Sequence, residues 1–152
     1  MSQEGKKMIF DQILSNHLFL NAAGSWVIAQ ILKAVIYACV NKTFDIKRLF
    51  GDGGMPSGHS ATVTALATTA ALECGLDSPI FAVSAIFAIV VMHDAMGIRL
   101  EAGKHAKMLN ELFVVVNGEV DPEQSLKEFL GHTPSQVVCG AVLGLAVALI
   151  RG

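Results

Sequence analysis

The sequence predicts an all-α, polytopic membrane protein: a bundle of about four transmembrane helices plus an amphipathic helix at the membrane interface. Hydrophobic residues make up 53% of the 152 residues and charged residues only 16%, against about 25% charged residues in an average soluble domain. Mean hydropathy is +0.54. This composition excludes a disordered chain. The length predicts one membrane-embedded domain over residues 1–152.

The apolar residues are concentrated in stretches close to the roughly 20 residues that a helix needs to cross a bilayer. Four stretches fit such spans: residues 18–40, 58–76, 79–98 and 133–151. The second and fourth are short or weakly apolar. The alternative is a soluble protein with alanine-rich buried helices, but such helices usually keep a polar stripe toward water.

The segments between the spans predict the rest of the architecture. Asp77-Ser78-Pro79 is a tight-turn sequence, so spans two and three should form an antiparallel hairpin. In residues 99–117, apolar and charged residues recur with the period of a helix, which predicts an amphipathic helix. Its apolar face carries Leu109, Leu112, Phe113 and Val116. Its charged face carries Glu101, Lys104, Lys107 and Glu111. A short helix is predicted between Asp121 and Gly131, and residues 1–16 are expected to be a short polar terminus.

Charge and cysteine content limit the partners and cofactors. The net charge is −2 without a basic stripe, so we expect no nucleic-acid partner. Cys39, Cys74 and Cys139 are scattered singly, which disfavours both a disulfide framework and a zinc site and predicts three small core residues. We expect no metal and no cofactor.

With four spans, the loops at residues 41–57 and 99–132 lie on the same membrane face. That face carries seven cations and the opposite face three: Lys42, Lys47, Arg48, Arg99, Lys104, Lys107 and Lys127 against Lys6, Lys7 and Arg151. The positive-inside rule then predicts a multi-pass protein of the cell membrane with the two loops in the cytoplasm.

Two histidine motifs lie on this face. In Pro56-Ser57-Gly58-His59, Ser57 is a predicted N-cap, so the following amides form a helix N-terminus that can bind an anion, with His59 beside it to donate a proton. In Gly131-His132-Thr133-Pro134-Ser135, His132 immediately precedes the last span. Either histidine alone could be an interfacial residue without function, but two at glycine-marked helix starts on one face favour a common pocket.

Together these motifs resemble the type-2 phosphatidic acid phosphatase and vanadium haloperoxidase superfamily. The resemblance to its short, divergent bacterial and plant branch is broader and covers about residues 18–150. It rests on three stretches: Gly53-Gly54-Met55-Pro56-Ser57-Gly58-His59-Ser60-Ala61, Asp94-Ala95-Met96-Gly97-Ile98-Arg99 and Leu130-Gly131-His132-Thr133-Pro134.

The resemblance implies a catalytic role for both histidines. His132 would be the nucleophile that forms a phosphohistidine, and His59 would protonate the departing alkoxide. The phosphoryl oxygens would be held by Ser57, Gly58 and nearby cations, for which Lys33, Arg48 and Arg99 are the candidates.

Three features depart from the superfamily pattern. Its first motif, a lysine followed seven positions later by Arg-Pro, has only Lys33 and Arg48 as its nearest candidates, with a different spacing and no proline after Arg48. Leu126 stands where the superfamily has an arginine, and the neutral Gln136 stands where it has an aspartate. Asp94 and Arg99 are the natural replacements: Asp94 would accept a hydrogen bond from His132, and Arg99 would contact the phosphoryl group. The alternative for these two is a structural ion pair at the interface.

The expected function is hydrolysis of a phosphate monoester or pyrophosphate, with a phosphorylated lipid or a small phosphate ester as substrate. Membrane lipids are the surrounding partners, and association into a homo-oligomer stays open. One alternative is a catalytically inactive relative that binds phosphorylated lipid or acts as a small scaffold. A transporter subunit is disfavoured, because the polar residues cluster at one face instead of lining a path at the midplane.

Overall fold

A computed structural model describes residues 3–43, 54–117, 125–126 and 131–151. Helices account for nearly all of the described residues, and these residues contain no strand. The helices, in chain order, are α1 Gln3–Leu14, α2 His17–Asn41, α3 Gly58–Cys74, α4 Pro79–Met96, α5 Ile98–Asn117 and α6 Pro134–Arg151. Helices α2, α3, α4, α5 and α6 match the predicted segments to within two residues at every end.

Short polar side chains start three of these helices. Asn16, Ser57 and Ser78 are the N-caps of α2, α3 and α4, and their side-chain oxygens accept hydrogen bonds from the third helical amides at 3.0, 3.3 and 3.1 Å. Each cap satisfies a donor that has no partner within its own helix. The turn Gly75–Ser78 between α3 and α4 confirms the predicted antiparallel hairpin.

Helix α3 occupies the centre of the bundle and packs against α2, α4 and α6. The buried side chains are small, and many are polar: Ala29, Ala61, Ala65, Ser25, Ser60 and Thr69 are all fully buried. The large apolar side chains point outward, as Val83, Ile86 and Ile150 do with 70%, 62% and 83% exposure. This distribution is the reverse of that in a water-soluble protein and is typical of helices that pack through small residues within lipid.

The contact between α3 and α6 depends on two glycines four residues apart. A Cβ atom on Gly140 would collide with the carbonyl oxygen of Ser57, and one on Gly144 with that of Ala61. The two backbones therefore approach as closely as in the small-residue packing of membrane helices. This close approach fixes the start of α3 against the start of α6, where the two histidine motifs lie.

Within the described residues, three helical stretches are long and apolar enough to cross a membrane: His17–Asn41, Pro79–Val116 and Pro134–Arg151. Only 17–28% of the most apolar window in each is buried, so most of this apolar surface faces outward. The predicted helical membrane bundle is confirmed. Helix α3 has 17 residues, about 25 Å of helix against roughly 30 Å of hydrocarbon, and its role as a fourth span stays a prediction.

Three expectations about the periphery need correction. The N-terminal segment forms helix α1 with exposed apolar side chains such as Phe10. The cysteines are not core residues, because Cys39 and Cys74 are exposed and Cys139 is half-buried. Of the predicted helix between Asp121 and Gly131, the structure describes only Ser125 and Leu126 before the glycine, and these two are not helical.

Helix α5 is amphipathic, but a different stripe from the predicted one makes its protein contacts. The buried residues are Gly103, Ala106 and Asn110. The predicted apolar face, with Leu112 56% and Val116 70% exposed, points outward. The Asn110 side chain donates to the Leu126 carbonyl oxygen at 2.9 Å and accepts from the Leu126 amide at 3.0 Å. This amide pairing holds the segment after α5 against the helix.

Candidate phosphate site at the histidine motifs

Both histidine motifs lie at the end of the bundle where α2 and α4 end and α3 and α6 begin; we call this the motif end. Two backbone hydrogen bonds hold the motifs there: the Ser57 amide donates to the Gln136 carbonyl oxygen at 3.0 Å, and the His132 amide donates to that of Ala95 at 2.9 Å. Gly131 has φ +81° and packs so closely on the backbone of Leu100 that a Cβ would collide with it. Only glycine meets both conditions without strain.

The structure brings the two predicted catalytic histidines into direct contact. Nδ1 of His59 lies 3.5 Å from Nε2 of His132, and the ring centroids are 5.6 Å apart with the rings inclined at 63°. His132 is buried, with 2% exposure, whereas His59 is half-buried. His132 is therefore held inside the protein, whereas His59 is partly exposed.

Gln136 fixes the tautomer of His132. Its Oε1 atom lies 3.2 Å from Nδ1 of His132 and accepts a hydrogen bond from the Thr133 amide at 3.1 Å. A backbone amide can only donate, so the atom that it meets must be the carboxamide oxygen. Nδ1 of His132 must then carry the proton to bond the same oxygen. In the neutral ring, Nε2 consequently carries the lone pair, and Nε2 is the atom that faces Nδ1 of His59.

Ser57 contributes to this site through the backbone and not as a direct ligand. Its side chain is fully buried, and its Oγ accepts hydrogen bonds from the amide and the hydroxyl of Ser60 at 3.3 and 3.1 Å. The cap leaves the amides of Gly58 and His59 in the first turn, where a helix supplies no acceptor for them. Together with the helix dipole, these amides are suited to an anion.

Helix α2 forms one wall of the motif end. Lys33 is buried, with 6% exposure, and its aliphatic chain lies against Gly54, where a Cβ would be 3.2 Å from Lys33 Cγ. Trp26 and Gln30 lie beside Gly58. Next to Lys33 is a cleft of about 190 Å³ whose lining includes the polar residues Tyr37 and Asn41 and the apolar residues Ile36, Val40 and Met55.

Asp94 and Arg99 form an ion pair, which was the structural alternative for these residues. The distance between Arg99 Nε and Asp94 Oδ2 is 3.1 Å, and the two side chains are 46% and 42% exposed. The carboxamide of Gln136 occupies the position at Nδ1 of His132 that we expected Asp94 to take. Gln136 is therefore the observed partner of Nδ1 of His132, and a catalytic role for Asp94 stays a prediction. Arg48 lies outside the described residues.

Sequence comparison extends these findings beyond the two motifs. The sequence profile of the divergent PAP2 family matches residues 14–147. The chain belongs to this family. It is also 40% identical over 151 residues to the uncharacterized membrane protein YuiD of Bacillus subtilis (strain 168). The alignment covers 91% of this chain and 96% of that protein. No solved structure matches the chain.

The structure shows how the chain compensates for one of its departures from the superfamily pattern. Gln136 supplies the acceptor for His132 without supplying a negative charge. Leu126 is tied to Asn110 through its backbone and leaves its side chain 41% exposed, so nothing at this position replaces the arginine. Within the described residues, no cluster of three or more His, Cys, Asp or Glu side chains could hold a metal ion.

Two buried polar residues were not predicted from the sequence: Gln30, which lies beside Gly58, and Asn110, which pairs with the backbone of Leu126. The sequence carries a signal for the first: Asn21, Ser25, Gln30 and Lys33 are the polar residues of an otherwise apolar span. In the structure, all four are buried. Polar residues inside a spanning helix usually face protein and not lipid.

Proposed function

We propose that this divergent PAP2 protein is a membrane-embedded, metal-independent phosphatase that hydrolyses a phosphate monoester or pyrophosphate through a phosphohistidine on His132. The observation that carries the proposal is the contact at Oε1 of Gln136, which leaves the lone pair of His132 on Nε2, facing His59. A neutral imidazole nitrogen with a fixed direction is a competent nucleophile. The first turn of α3 lies beside it, with amides that can hold the phosphoryl oxygens.

The reaction has two steps. In the first, Nε2 of His132 attacks phosphorus, the bond from phosphorus to the alcohol oxygen breaks, and protonated His59 gives its proton to the departing oxygen. In the second, the now neutral His59 takes a proton from water, the water oxygen attacks phosphorus, and the phosphorus–nitrogen bond breaks. The products are the alcohol and inorganic phosphate, and both histidines return to their starting states.

This mechanism requires the two histidines to separate. An in-line attack needs about 3–3.5 Å between nucleophile and phosphorus, and the leaving oxygen must in addition lie about 2.6–3.2 Å from the acid. The observed 3.5 Å between the two nitrogens is too short for both. His59 is the half-buried partner, so we expect its ring to swing away from His132 as the phosphoryl group enters.

Positive charge and apolar surface near the histidines favour a lipid phosphate. Lys33 and Arg99 are at the motif end of the bundle. The sequence places Arg48 in the loop that precedes α3. Phosphoryl transfer depends mainly on positioning and on neutralising the oxygens. The cleft beside Lys33 joins Tyr37 and Asn41 to apolar side chains at the end of a spanning helix, which suits the junction between a headgroup and an acyl chain.

A catalytically inactive relative that binds phosphorylated lipid is the second candidate. The specific observation in its favour is that the group at Nδ1 of His132 is neutral. A carboxylate would stabilise the imidazolium that forms during attack, whereas a carboxamide only orients the ring. This candidate keeps the helix-start amides and loses turnover.

The deciding experiment is phosphate release from a panel of lipid phosphates by the detergent-purified protein. The proposal predicts release by the wild type and loss of at least about 10³-fold in His132→Ala, since the covalent step disappears. His17→Ala, at the other end of the bundle, is the matched control and should keep full activity. No release from any substrate, with vanadate still bound, would instead support the inactive relative. Undiminished release by His132→Ala would remove the mechanism.

The cytoplasmic orientation of the motif end has its own test. Cysteines introduced at positions 52 and 119 should react with a membrane-impermeant reagent only after the cells are opened. Reaction of both positions in intact cells would reverse the orientation, and reaction of one alone would overturn the span count.

A further inference from the structure

Gln30 has a buried carboxamide whose oxygen has no hydrogen-bond partner. The residue is 8% exposed, and Oε1 is inaccessible to solvent and receives no hydrogen bond. A buried polar atom without a partner is rare in folded proteins, and no lipid group at the core of a bilayer can satisfy it. The conformation therefore needs a reason that the packing of the protein does not supply.

The position of Gln30 relates it to the phosphate site. A Cβ built on Gly58 would lie 4.0 Å from Oε1 of Gln30 and 3.3 Å from the indole Cδ1 of Trp26. Gly58 is the first residue of α3 and directly precedes His59. Lys33, one turn further along α2, is also buried. The unpartnered oxygen thus lies beside the helix start that would hold the anion.

A carbonyl oxygen accepts hydrogen bonds and cannot donate them, which restricts what it can recognise. The oxygens of a fully ionised phosphate ester are acceptors too, and they would be repelled. The complementary partner is a hydrogen-bond donor, and the donor that simple phosphate compounds carry is a hydroxyl group. Two sources of a hydroxyl exist in the substrates of a phosphatase: a protonated phosphoryl oxygen, and a free hydroxyl on the alcohol part.

We propose that Gln30 is a specificity-determining residue: its Oε1, closed to solvent in the ligand-free protein, becomes accessible as the phosphate compound enters and accepts a hydrogen bond from one of its hydroxyls. The inference rests on the proposed function, because it takes the start of α3 as the phosphate site. It adds that this site selects ligands that carry a hydroxyl over ligands of the same charge and shape that lack one. Inorganic phosphate, which keeps a P–OH group as a dianion, is therefore favoured over sulfate.

The experiment is titration calorimetry of the detergent-purified full chain in mildly alkaline buffer, where phosphate and sulfate have the same charge. A second pair, glycerol 3-phosphate and propyl phosphate, tests a hydroxyl on the alcohol part. The wild type should bind the hydroxyl-bearing member of at least one pair about tenfold more tightly, the usual effect of satisfying one buried acceptor. The pair that shows the difference identifies the source of the hydroxyl.

The variant is Gln30→Met, which keeps the length of the side chain and removes the acceptor. In this variant, the ratio of the two affinities within each pair of ligands should be close to one. Because no hydrogen bond is lost in the ligand-free protein, its melting temperature should stay the same or rise. Thr64→Val is the matched control: Oγ1 of Thr64 is also buried without a partner, but it lies further along α3, and its removal should leave the preference intact.

The outcomes separate the two proposals. Binding of phosphate and sulfate with equal affinity, with no difference in the second pair, overturns the role of Gln30 and leaves the phosphate site standing. A preference that survives in Gln30→Met, or tighter binding of sulfate, does the same. Failure of the wild type to bind any of the four compounds overturns the phosphate site and the role of Gln30 with it.

Discussion

Each end of the bundle holds a histidine in a polar contact, and the two contacts are built differently. At the opposite end, where α2 begins and α3 ends, Nδ1 of His17 lies 2.8 Å from Oε1 of Glu73, with the side chains 63% and 33% exposed. At the motif end, His132 is 2% exposed and contacts a neutral carboxamide and a second histidine. Exposed pairs contribute little energy, so the first contact is peripheral, whereas the second needs a buried, ordered surrounding.

The same contrast appears along α2. Toward the opposite end, Asn21 donates to Thr69 Oγ1 at 3.1 Å. The single hydroxyl hydrogen of Ser25 is shared between the carbonyl oxygens of Ala22 and Ala61, at 2.8 and 3.1 Å from Oγ. Toward the motif end, the oxygen of Gln30 has no donor. Buried polar groups that are satisfied within the protein hold helices together. The unsatisfied oxygen of Gln30 lies beside the start of α3, and this position is the reason that we assign it to a ligand.

The largest effect among the predictions below is expected for His59→Ala. A general acid contributes about 10²–10⁴-fold, so hydrolysis of alkyl phosphates should fall by that factor. Aryl phosphates should lose much less, because their leaving groups need no proton. Rates of phosphate release for both substrate types provide the measurement. Equal losses for the two types would remove His59 from the acid role.

Gln136→Leu should have the next largest effect. It removes the acceptor at Nδ1 of His132, so the ring loses its fixed tautomer, and the Thr133 amide loses its partner. We expect turnover to fall roughly 10- to 100-fold, corresponding to about 1–3 kcal/mol for an unsatisfied buried group. Gln136→Glu keeps the acceptor and should retain more activity than Gln136→Leu. Full activity in Gln136→Leu would show that the tautomer is set elsewhere.

Thr69→Val, a change on α3, tests the buried hydrogen bond to Asn21 in the half of α2 that lies away from the motif end. It leaves the Asn21 amide without its acceptor, and we expect a loss of about 0.5–2 kcal/mol in stability, as for other hydrogen bonds between membrane helices. Thermal melting in detergent measures the loss, while phosphate release per folded molecule should stay unchanged. A drop in specific activity without a drop in melting temperature would contradict the distinction between the two halves of α2.

The smallest effects are expected at the Asp94–Arg99 pair. Both side chains are substantially exposed, so Asp94→Asn should reduce stability by less than about 1 kcal/mol and leave turnover unchanged. Arg99→Lys should weaken vanadate binding by a few-fold, roughly what loss of the planar guanidinium implies. A strong loss of turnover in Asp94→Asn would return that carboxylate to the catalytic site.

The helices could be predicted from the sequence because apolar runs and turn residues determine them locally. The tight turn before Pro79 and the cap at Ser57 are examples. The exposed face of α5 could not be assigned, because Leu112 and Val116 fit a protein core and a lipid boundary equally well. The partner of His132 depends on the close approach of α3 and α6 and on the turn at Gly131, and both are tertiary features. Gln30 needed the structure as well, since only three-dimensional packing shows which oxygen lacks a donor.

The central claim is that His132 becomes phosphorylated, and direct detection of that species tests it most closely. The detergent-purified protein is mixed with a hydrolysed lipid phosphate, quenched in alkali to preserve phosphohistidine, digested and examined by mass spectrometry. We expect phosphate on the peptide that contains His132, accumulating further in His59→Ala with an aryl phosphate as substrate because water attack then lacks its base. Phosphate release without any modification of that peptide in either protein would contradict the account.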